Sequence, residues 1–274
     1  MKKLALIAMA TALFGAAACQ QDSKNTDRKL DEISKRLESI EQKMGSIQAG
    51  AGRGAGQQPK RRPEPDPKDV YAVNVDGDPS EGPADALVTI VKGYEYACPF
   101  CEKVRPTMEQ LLKDYPGKIR IVHKQFVVHP QVATDSSLAA CASHKQGKFA
   151  QMDKLIWEKA FGARKFDRAN IDALAKEAGL DMAKFKADME GDCKTFIQKD
   201  QAELQAVGQG ATPTFFINGR YMSGAQPLPA FKAIIDEEIK KAEERIAQGT
   251  SKADYYKTWV LDKGLKKFVP KVEK

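Results

Sequence analysis

The tetrapeptide Cys98-Pro99-Phe100-Cys101 carries most of the fold information in this chain, and Thr212-Pro213-Thr214 is its counterpart more than a hundred residues later. Two thiols separated by two residues at the start of a helix can close one reversible disulfide. The Thr-Pro pair precedes an apolar run, Phe215-Phe216-Ile217, which predicts a cis-proline loop leading into a strand. In this order the two motifs point to dithiol–disulfide exchange.

The position of each thiol predicts its role. Cys98 lies at the predicted helix start, where free N–H groups and the helix dipole stabilise a thiolate, so it is the expected nucleophile. Cys101 follows one turn later and is expected to be buried and to resolve a mixed disulfide. The predicted substrate-binding residues are Pro99, which fits a first helical turn, Phe100, which adds no charge to the thiolate, and the loop residues Thr212 and Pro213.

The flanking sequence alternates between strand and helix patterns over residues 69–249, which indicates an α/β domain. Tyr71, Val73 and Val75 alternate like a short edge strand, and residues 87–91 form an apolar run typical of a buried strand. The helix opened by the first motif contains Pro106, which predicts a kink, and a further strand follows at residues 119–122.

Residues from about 131 to 207 have only helical periodicity, which predicts a helical insert. Strand character returns at residues 214–217, and Asn218-Gly219 predicts a two-residue hairpin. A closing helix follows Pro227. Residues 250–274 form an amphipathic tail that we expect to pack against the domain.

The N-terminus has the pattern of an export signal. Lys2-Lys3 precede an apolar run from Leu4 to Phe14 that is too short to span a membrane, and Ala16-Ala17-Ala18 precede Cys19. Small residues before a cysteine resemble a bacterial lipoprotein signal, in which that cysteine is acylated. We therefore predict a signal peptide over residues 1–18 and lipidation of Cys19. The alternative is a free periplasmic protein after the same cleavage.

Residues 19–48 are predicted to form a lipid-anchor tether and a coiled-coil oligomerisation helix. Apolar residues recur at alternating spacings of three and four, and Leu-type residues at a with Ile at d favour trimers or tetramers. The alternative is a single amphipathic helix that packs on the domain or lies on the membrane. The seam comprises Leu30, Ile33, Leu37, Ile40, Met44 and Ile47.

Residues 49–68 are rich in Gly, Pro, Gln and Arg and have no apolar periodicity, which predicts a flexible linker. The net charge of the chain is +7, and its densest basic run, Lys60-Arg61-Arg62, lies among the prolines of this linker. Without aromatic or fold-level support, such a run does not indicate a nucleic-acid partner.

With these motifs the sequence resembles the DsbA-like branch of the thioredoxin superfamily over residues 69 to about 247. The resemblance implies an α/β thioredoxin fold with an inserted helical domain, here preceded by a coiled-coil helix and a flexible linker. Relatives often carry a buried acid six residues before the first cysteine, whereas this chain has Lys92. Either Glu95 or water would then serve the second thiol, or a buried lysine would itself favour the thiolate. The motifs that carry the resemblance are Cys98-Pro99-Phe100-Cys101, Pro106, Thr212-Pro213 and residues 215–219.

Of the remaining cysteines, Cys141 and Cys193 are predicted to form a structural disulfide between the first and last insert helices, because an exported protein meets oxidising conditions. Two buried free thiols are the alternative. A zinc site at the CxxC motif needs a second Cys or His pair at short spacing. His123, His129 and His144 fit no such pattern, so no metal or cofactor is predicted, and His129 before Pro130 is read as a cap or turn.

These observations predict an enzyme, a thiol:disulfide interchange protein that acts on exported proteins, with isomerase or reductase activity favoured. A DsbA-like oxidase and a non-enzymatic envelope scaffold with a structural CPFC disulfide are the alternatives. The predicted partners are cysteine-containing clients, a membrane redox partner, the membrane through the lipid anchor, and further copies of the chain in a trimer or tetramer. The predicted location is the periplasm, anchored to a bacterial membrane with the outer membrane favoured.

Overall fold

The structure is a computed structural model that describes residues 27–42 and 63–270. The chain divides into one unit that ends at Arg62 and a second that begins at Pro63. In the first unit, residues 27–42 form a helix, α1. The signal peptide, Cys19 and the last two seam residues, Met44 and Ile47, lie outside the described residues. The described seam side chains are each 52–56% exposed: Leu30, Ile33, Leu37 and Ile40.

A mixed sheet forms the centre of the second unit. Its strands among residues 63–270 are β1 (Ser80–Glu81), β2 (Val88–Tyr94), β3 (Ile119–Gln125), β4 (Thr214–Ile217) and β5 (Arg220–Ser223), in the order β1-β3-β2-β4-β5. The β2 and β3 strands are parallel, and the other neighbours are antiparallel. Every residue of β2 is buried, because this central strand is covered on both faces.

Helices lie on both faces of the sheet and in the insert. The first motif opens α2, which ends where Val104 interrupts the helix just before Pro106, as the predicted kink requires. The helical insert runs between β3 and β4. The helices are α2 (Pro99–Lys103), α3 (Arg105–Asp114), α4 (Pro130–Lys145), α5 (Phe149–Leu155), α6 (Arg168–Glu177), α7 (Met182–Glu190), α8 (Asp192–Ala206) and α9 (Leu228–Ala247), with π-helical turns at Ile156–Phe161 and Lys257–Leu261.

Three apolar clusters hold the unit together. One packs α3 and α9 on one face of the sheet, a second covers the opposite face with residues such as Phe216 and Leu204, and the third fills the insert. Burial of each large apolar side chain contributes about 1.5–3 kcal/mol. In the insert Cys141 of α4 and Cys193 of α8 form a disulfide with an S–S distance of 2.06 Å, which joins its first and last helices.

The predicted edge strand at Tyr71, Val73 and Val75 is wrong. Tyr71 and Val73 are buried, as their alternation indicates, but the segment makes only isolated bridges, Val70 with Arg220 and Tyr71 with Leu265. It fills a crevice between β5 and the C-terminal residues and pairs with no strand along its length. The edge strand beside β3 is instead Ser80–Glu81, which is too short to leave an alternating pattern.

Both ends of the second unit extend beyond residues 69–249. Pro65 is buried, and the Nε of Arg220 donates to the Pro67 carbonyl at 3.3 Å, so residues 63–68 lie against the domain rather than in a free linker. At the other end Tyr255 and Val260 are buried, and the Tyr256 hydroxyl donates to the Val73 carbonyl at 2.8 Å. The tail packs against the domain.

The predicted hairpin joins β4 to β5, and Asn218 and Gly219 both have positive φ, 43° and 83°. Asn218 has a second role, since its side-chain Oδ1 accepts from the Thr89 N–H at 2.8 Å and thereby ties the turn to β2.

Along residues 27–42 and 63–270, none of the helices combines the length and the apolar character that a membrane crossing requires.

Candidate active site

Cys98 lies just beyond the C-terminal end of β2 and caps the N-terminus of α2. Its Sγ accepts a hydrogen bond from the Cys101 N–H at 3.2 Å, and Pro99 occupies the first helical turn. A hydrogen bond from the Cys101 thiol, together with the N–H groups of the helix start, lowers the pKa of Cys98 to about 6 in spite of its burial. At neutral pH this sulfur is therefore a thiolate, the form that attacks disulfides.

The loop before β4 contacts this sulfur. The Thr212–Pro213 peptide bond is cis, and the Thr212 carbonyl accepts from the Cys98 Sγ at 3.4 Å. Thr212 acts on Cys98 in two directions, because its carbonyl favours the thiol while a hydrogen bond from its side chain favours the thiolate. The side-chain bond is among the causes that together lower the Cys98 pKa, so the thiolate is favoured overall.

Gln209 holds this loop to the central strand. Its amide nitrogen donates to the carbonyls of Gly93 and Ala211, each at 3.2 Å. A Cβ at position 93 would overlap the Gln209 amide, so glycine is needed there for close approach rather than for a special φ. Gln209 carries no local sequence motif and was not among the predicted site residues.

Cys101 and Lys92 lie deeper in the domain. Cys101 is completely buried, whereas Cys98 is 4% exposed, so Cys98 is the more accessible of the two thiols. Burial raises the pKa of Cys101 far above that of Cys98. Lys92 is 3% exposed, with Nζ 4.1 Å from the centre of the Tyr94 ring, and burial lowers its pKa against the opposing charges of Asp153 and Cys101.

A polar cavity of about 430 Å³ lies between the sheet and the insert, with Lys92 in its wall. Asp153 of α5 accepts hydrogen bonds from Tyr96 at 2.7 Å and Tyr94 at 3.3 Å, so the insert contributes a carboxylate to the region beneath the dithiol. The charged and titratable residues that line it are Glu81, Lys92, Arg105, Glu109, His123, Asp153, Lys154 and Glu158.

Glu95 and His129 form a second ionisable pair near the dithiol. The Glu95 carboxylate is fully buried and accepts from the backbone N–H groups of Val128 at 2.7 Å and His129 at 2.9 Å. The Nδ1 of His129 also contacts this carboxylate. The sequence reading of His129 as a cap or turn was therefore incomplete. One signal pointed to the pair: both residues closely follow parallel neighbouring strands, which end at the same sheet edge.

The structure thus brings together all six predicted catalytic and substrate-binding residues, Cys98, Pro99, Phe100, Cys101, Thr212 and Pro213. The Cys141–Cys193 disulfide belongs to the insert, whose apolar cluster also contains Cys98 and Cys101. Within residues 27–42 and 63–270, no three His, Cys, Asp or Glu side chains are grouped as metal ligands would be.

Comparison with known proteins places this arrangement in a family. The family model described as Thioredoxin matches residues 74–237, more than half of the chain. The chain belongs to the thioredoxin family. It is similar in structure to BdbD from Bacillus subtilis, with a TM-score of 0.58 and 21% identity over 63% of this chain and 98% of that one. It is also similar to the thiol-disulfide exchange protein alpha-DsbA2 from Wolbachia pipientis, with a TM-score of 0.52 and 20% identity over 58% of this chain and 86% of that one.

At these identities the likenesses show the fold, and they confirm the predicted DsbA-like thioredoxin fold with its helical insert. A curated relative, the Na(+)/H(+) antiporter NhaA 3 of Salinispora tropica, is 32% identical over 182 residues, which is 64% of this chain and 27% of that relative. The chain spans about a quarter of the length of the curated relatives it matches. This likeness concerns only that portion of the relative.

Proposed function

We propose that this protein is a thiol:disulfide interchange enzyme that acts on the disulfides of exported, cysteine-containing proteins. One observation carries the proposal: a free Cys98 thiol with a pKa of about 6 lies beside the Thr212 carbonyl, with the buried Cys101 thiol one helical turn away. A thiolate with a loop backbone on one side and a resolving thiol on the other has what exchange requires.

The exchange balances as follows. The Cys98 thiolate attacks one sulfur of a client disulfide, which forms a Cys98–client disulfide and releases the other client sulfur as a thiolate. If a different client thiolate attacks the client sulfur bound to Cys98, the client gains a new disulfide and the Cys98 thiolate is restored, whereas attack by the released thiolate only reverses the first step. If Cys101 loses its proton and attacks Cys98, the client leaves reduced and Cys98–Cys101 becomes a disulfide.

Three features favour isomerase or reductase activity over oxidase activity. The first is Phe100, which adds no charge beside the thiolate. The second is Thr212, since a threonine before the cis proline resembles the sequence of isomerases and reductases more than that of oxidases. The third is α1, whose apolar seam is exposed and available to another copy. Several catalytic domains on one stalk would hold a misfolded client near a second thiolate, which raises its effective concentration.

We place the enzyme in the periplasm, lipid-anchored through Cys19 to a membrane, with the outer membrane favoured. In this location a membrane redox partner resets the dithiol.

Scrambled ribonuclease tests the proposed activity. The reduced full-length protein is expected to restore ribonuclease activity, and a protein that lacks residues 30–47 is expected to restore much less at equal thiol concentration. The matched control is Cys141→Ser with Cys193→Ser, which keeps the catalytic dithiol. Rapid oxidation of reduced ribonuclease without unscrambling would favour the oxidase alternative instead.

The scaffold alternative predicts an inert CPFC pair. In Cys101→Ser the mixed disulfide has no resolving thiol, so an interchange enzyme is expected to stay covalently bound to its clients. Dithiothreitol is then expected to release them. Failure to trap any scrambled, disulfide-containing client, while Cys98 still reacts with small alkylating agents, would remove the proposed function.

A further inference from the structure

The catalytic tetrapeptide contains no positive charge of its own. Pro99 and Phe100 are neutral, and the first turn of α2 carries an acid, Glu102, which opposes a thiolate at Cys98. The hydrogen bonds at the helix start lower the Cys98 pKa, but a cation near the sulfur would stabilise the thiolate further. Such a cation must come from a side chain outside the tetrapeptide.

The chain topology brings His129 to the same sheet edge as Cys98. The parallel strands β2 and β3 end together, and the Phe126 N–H donates to the Tyr94 carbonyl at 2.8 Å just beyond them. Glu95 follows β2 and His129 follows β3 at this edge. The Glu95 backbone acts to lower the pKa of Cys101, and the Glu95 carboxylate contacts His129, so this one residue lies beside both the dithiol and the imidazole.

The imidazole is held at one nitrogen and open at the other. Its Nδ1–H donates to the buried Glu95 carboxylate, which also accepts two backbone N–H groups, while the side chain as a whole is 60% exposed. The charges that act on His129 are those of Glu95 and of Cys98, and both raise its pKa, with Glu95 the larger cause. An imidazole held by a buried carboxylate therefore lies at the same sheet edge as Cys98, and the Cys98 charge adds to the rise of its pKa.

We propose that the His129 imidazole, positioned by the buried carboxylate of Glu95, supplies the positive charge that stabilises the Cys98 thiolate. His129 is a positioning and electrostatic residue that comes from outside the CxxC motif. This inference rests on the proposed function, because it assigns a group that tunes the same thiol. The inference predicts a pH range in which the reactivity of Cys98 depends on whether His129 is protonated. This range extends from the Cys98 pKa of about 6 to the raised pKa of the imidazole.

The test compares three variants of the full chain with the wild type, by thiolate absorbance and by alkylation rate against pH. His129→Asn keeps a donor for Glu95 but removes the charge, His129→Lys restores a charge that does not titrate near neutrality, and His144→Asn is the control at a histidine on which Cys98 does not act. Because His129 is exposed, the Cys98 pKa is expected to rise by about 0.5–1 unit in His129→Asn, a three- to tenfold loss of thiolate at low pH.

His129→Lys is expected to retain the low Cys98 pKa, and His144→Asn to match the wild type. The difference between His129→Asn and the wild type is expected to shrink at 1 M salt, which a merely structural role would not produce. If Cys98 titrates identically in His129→Asn and the wild type, the inference is wrong while the proposed function stands. If Cys98 of the wild type ionises like an ordinary cysteine and exchanges with nothing, both fail.

A measurement on the wild type keeps the inference testable should His129→Asn not fold. Coupling between two groups is reciprocal, so the thiolate must raise the imidazole pKa as the imidazolium lowers the thiol pKa. By NMR, the His129 pKa is expected to be higher in the reduced protein than in the Cys98–Cys101 disulfide form, while that of His144 stays constant. Equal His129 pKa values in the two redox forms would overturn it.

Discussion

Cys98 and Cys101 are three positions apart, but the structure shifts their pKa values in opposite directions. Cys98 receives hydrogen bonds at the helix start, and its pKa is about 6, whereas burial and the neighbouring Cys98 charge raise the pKa of Cys101. The thiolate on one side thus depends on a protonated thiol on the other. In the proposed mechanism this difference makes Cys98, the more accessible thiol, the nucleophile and keeps Cys101 protonated until a mixed disulfide has formed.

The hydrogen bond between the two sulfurs can be tested with a matched pair of variants. Cys101→Ser retains a donor to Cys98, whereas Cys101→Ala removes it. Because this bond is the largest cause of the lowered Cys98 pKa, Cys101→Ser is expected to stay near 6 and Cys101→Ala to rise by about one unit or more. Thiolate absorbance between pH 4 and 10 measures both values, and equal values would contradict the assignment.

Lys92 is the residue that departs from the pattern of related proteins. Its ammonium charge lowers the pKa of the buried Cys101, so Lys92→Met is expected to slow resolution of a mixed disulfide by about three- to tenfold. Because Lys92→Met also leaves the charge of Asp153 without this opposing ammonium, the melting temperature is expected to fall, and the rates are compared at a temperature where both proteins are folded. The control, Lys154→Met, changes a 67% exposed lysine of the same cavity. Unchanged release of a peptide from its mixed disulfide with Cys98 would contradict this role.

At the scale of elements, the site depends on how closely the cis-proline loop approaches β2. Gly93 lies opposite Thr214 in the ladder, and its carbonyl is held by Gln209. The Gln209 amide therefore bridges the loop and the central strand, in the space that the absent Cβ of Gly93 leaves open. This contact fixes Thr212 beside Cys98.

Gly93→Ala is expected to displace the Gln209 amide and with it the loop. We expect a loss of about 1–3 kcal/mol in unfolding free energy, as for overpacked interiors, together with slower alkylation of Cys98. The control is Gly162→Ala, where the nearest atom to a new Cβ is the Trp157 carbonyl oxygen at 3.9 Å. Urea unfolding and alkylation rates measure the two effects. Wild-type stability in Gly93→Ala would show that Gln209 moves without cost.

At the scale of the whole molecule, a buried ion cluster joins the sheet to the insert. Lys124 of β3 lies 2.7 Å from Asp78 and 2.7 Å from Asp200 of α8. Burial and the Asp200 charge raise the pKa of Asp78 to about 7, against an ordinary value of 3.8. A folded-state pKa above the unfolded one contributes stability that is complete below pH 3.8 and lost as the pH rises through 7.

Asp78→Asn is therefore expected to remove part of this pH dependence. Between pH 4 and pH 8, the melting temperature of the wild type should fall by several °C relative to that of the variant. Asp85→Asn is the control, since Asp85 is 49% exposed and pairs with Lys252 at the surface. Parallel curves for the wild type and Asp78→Asn would contradict the raised Asp78 pKa.

The oligomeric state also belongs to this scale. The α1 helix has four half-exposed apolar side chains on one seam, so we expect it to associate with other copies and the full chain to sediment as a trimer or tetramer. Leu37→Glu at a seam position is expected to give monomers, whereas Lys35→Glu off the seam should not. Sedimentation equilibrium distinguishes the outcomes, and a monomeric wild type would contradict the coiled-coil prediction.

Local chemistry made much of this protein predictable. The helix start at Pro99, the hairpin at Asn218-Gly219, the buried run of β2 and the helical insert each depend on neighbouring residues, so a short stretch of sequence specifies them. The edge strand failed for the same reason. Two residues, Ser80 and Glu81, leave no pattern, and the alternation at Tyr71 and Val73 reflects burial against distant segments rather than strand pairing.

The ionisation of the site was decided only by the tertiary structure. Sequence identified Cys98, Cys101, Thr212 and Pro213, because their chemistry is carried by short motifs. The Glu95–His129 contact joins residues 34 positions apart, and Gln209 reaches Gly93 across 116 positions. A pKa depends on which charges and dipoles surround a group and on how much water is excluded, and both are fixed by the packing of distant segments. For this reason the sequence identified the two candidate thiols, and the fold determined how readily each of them ionises.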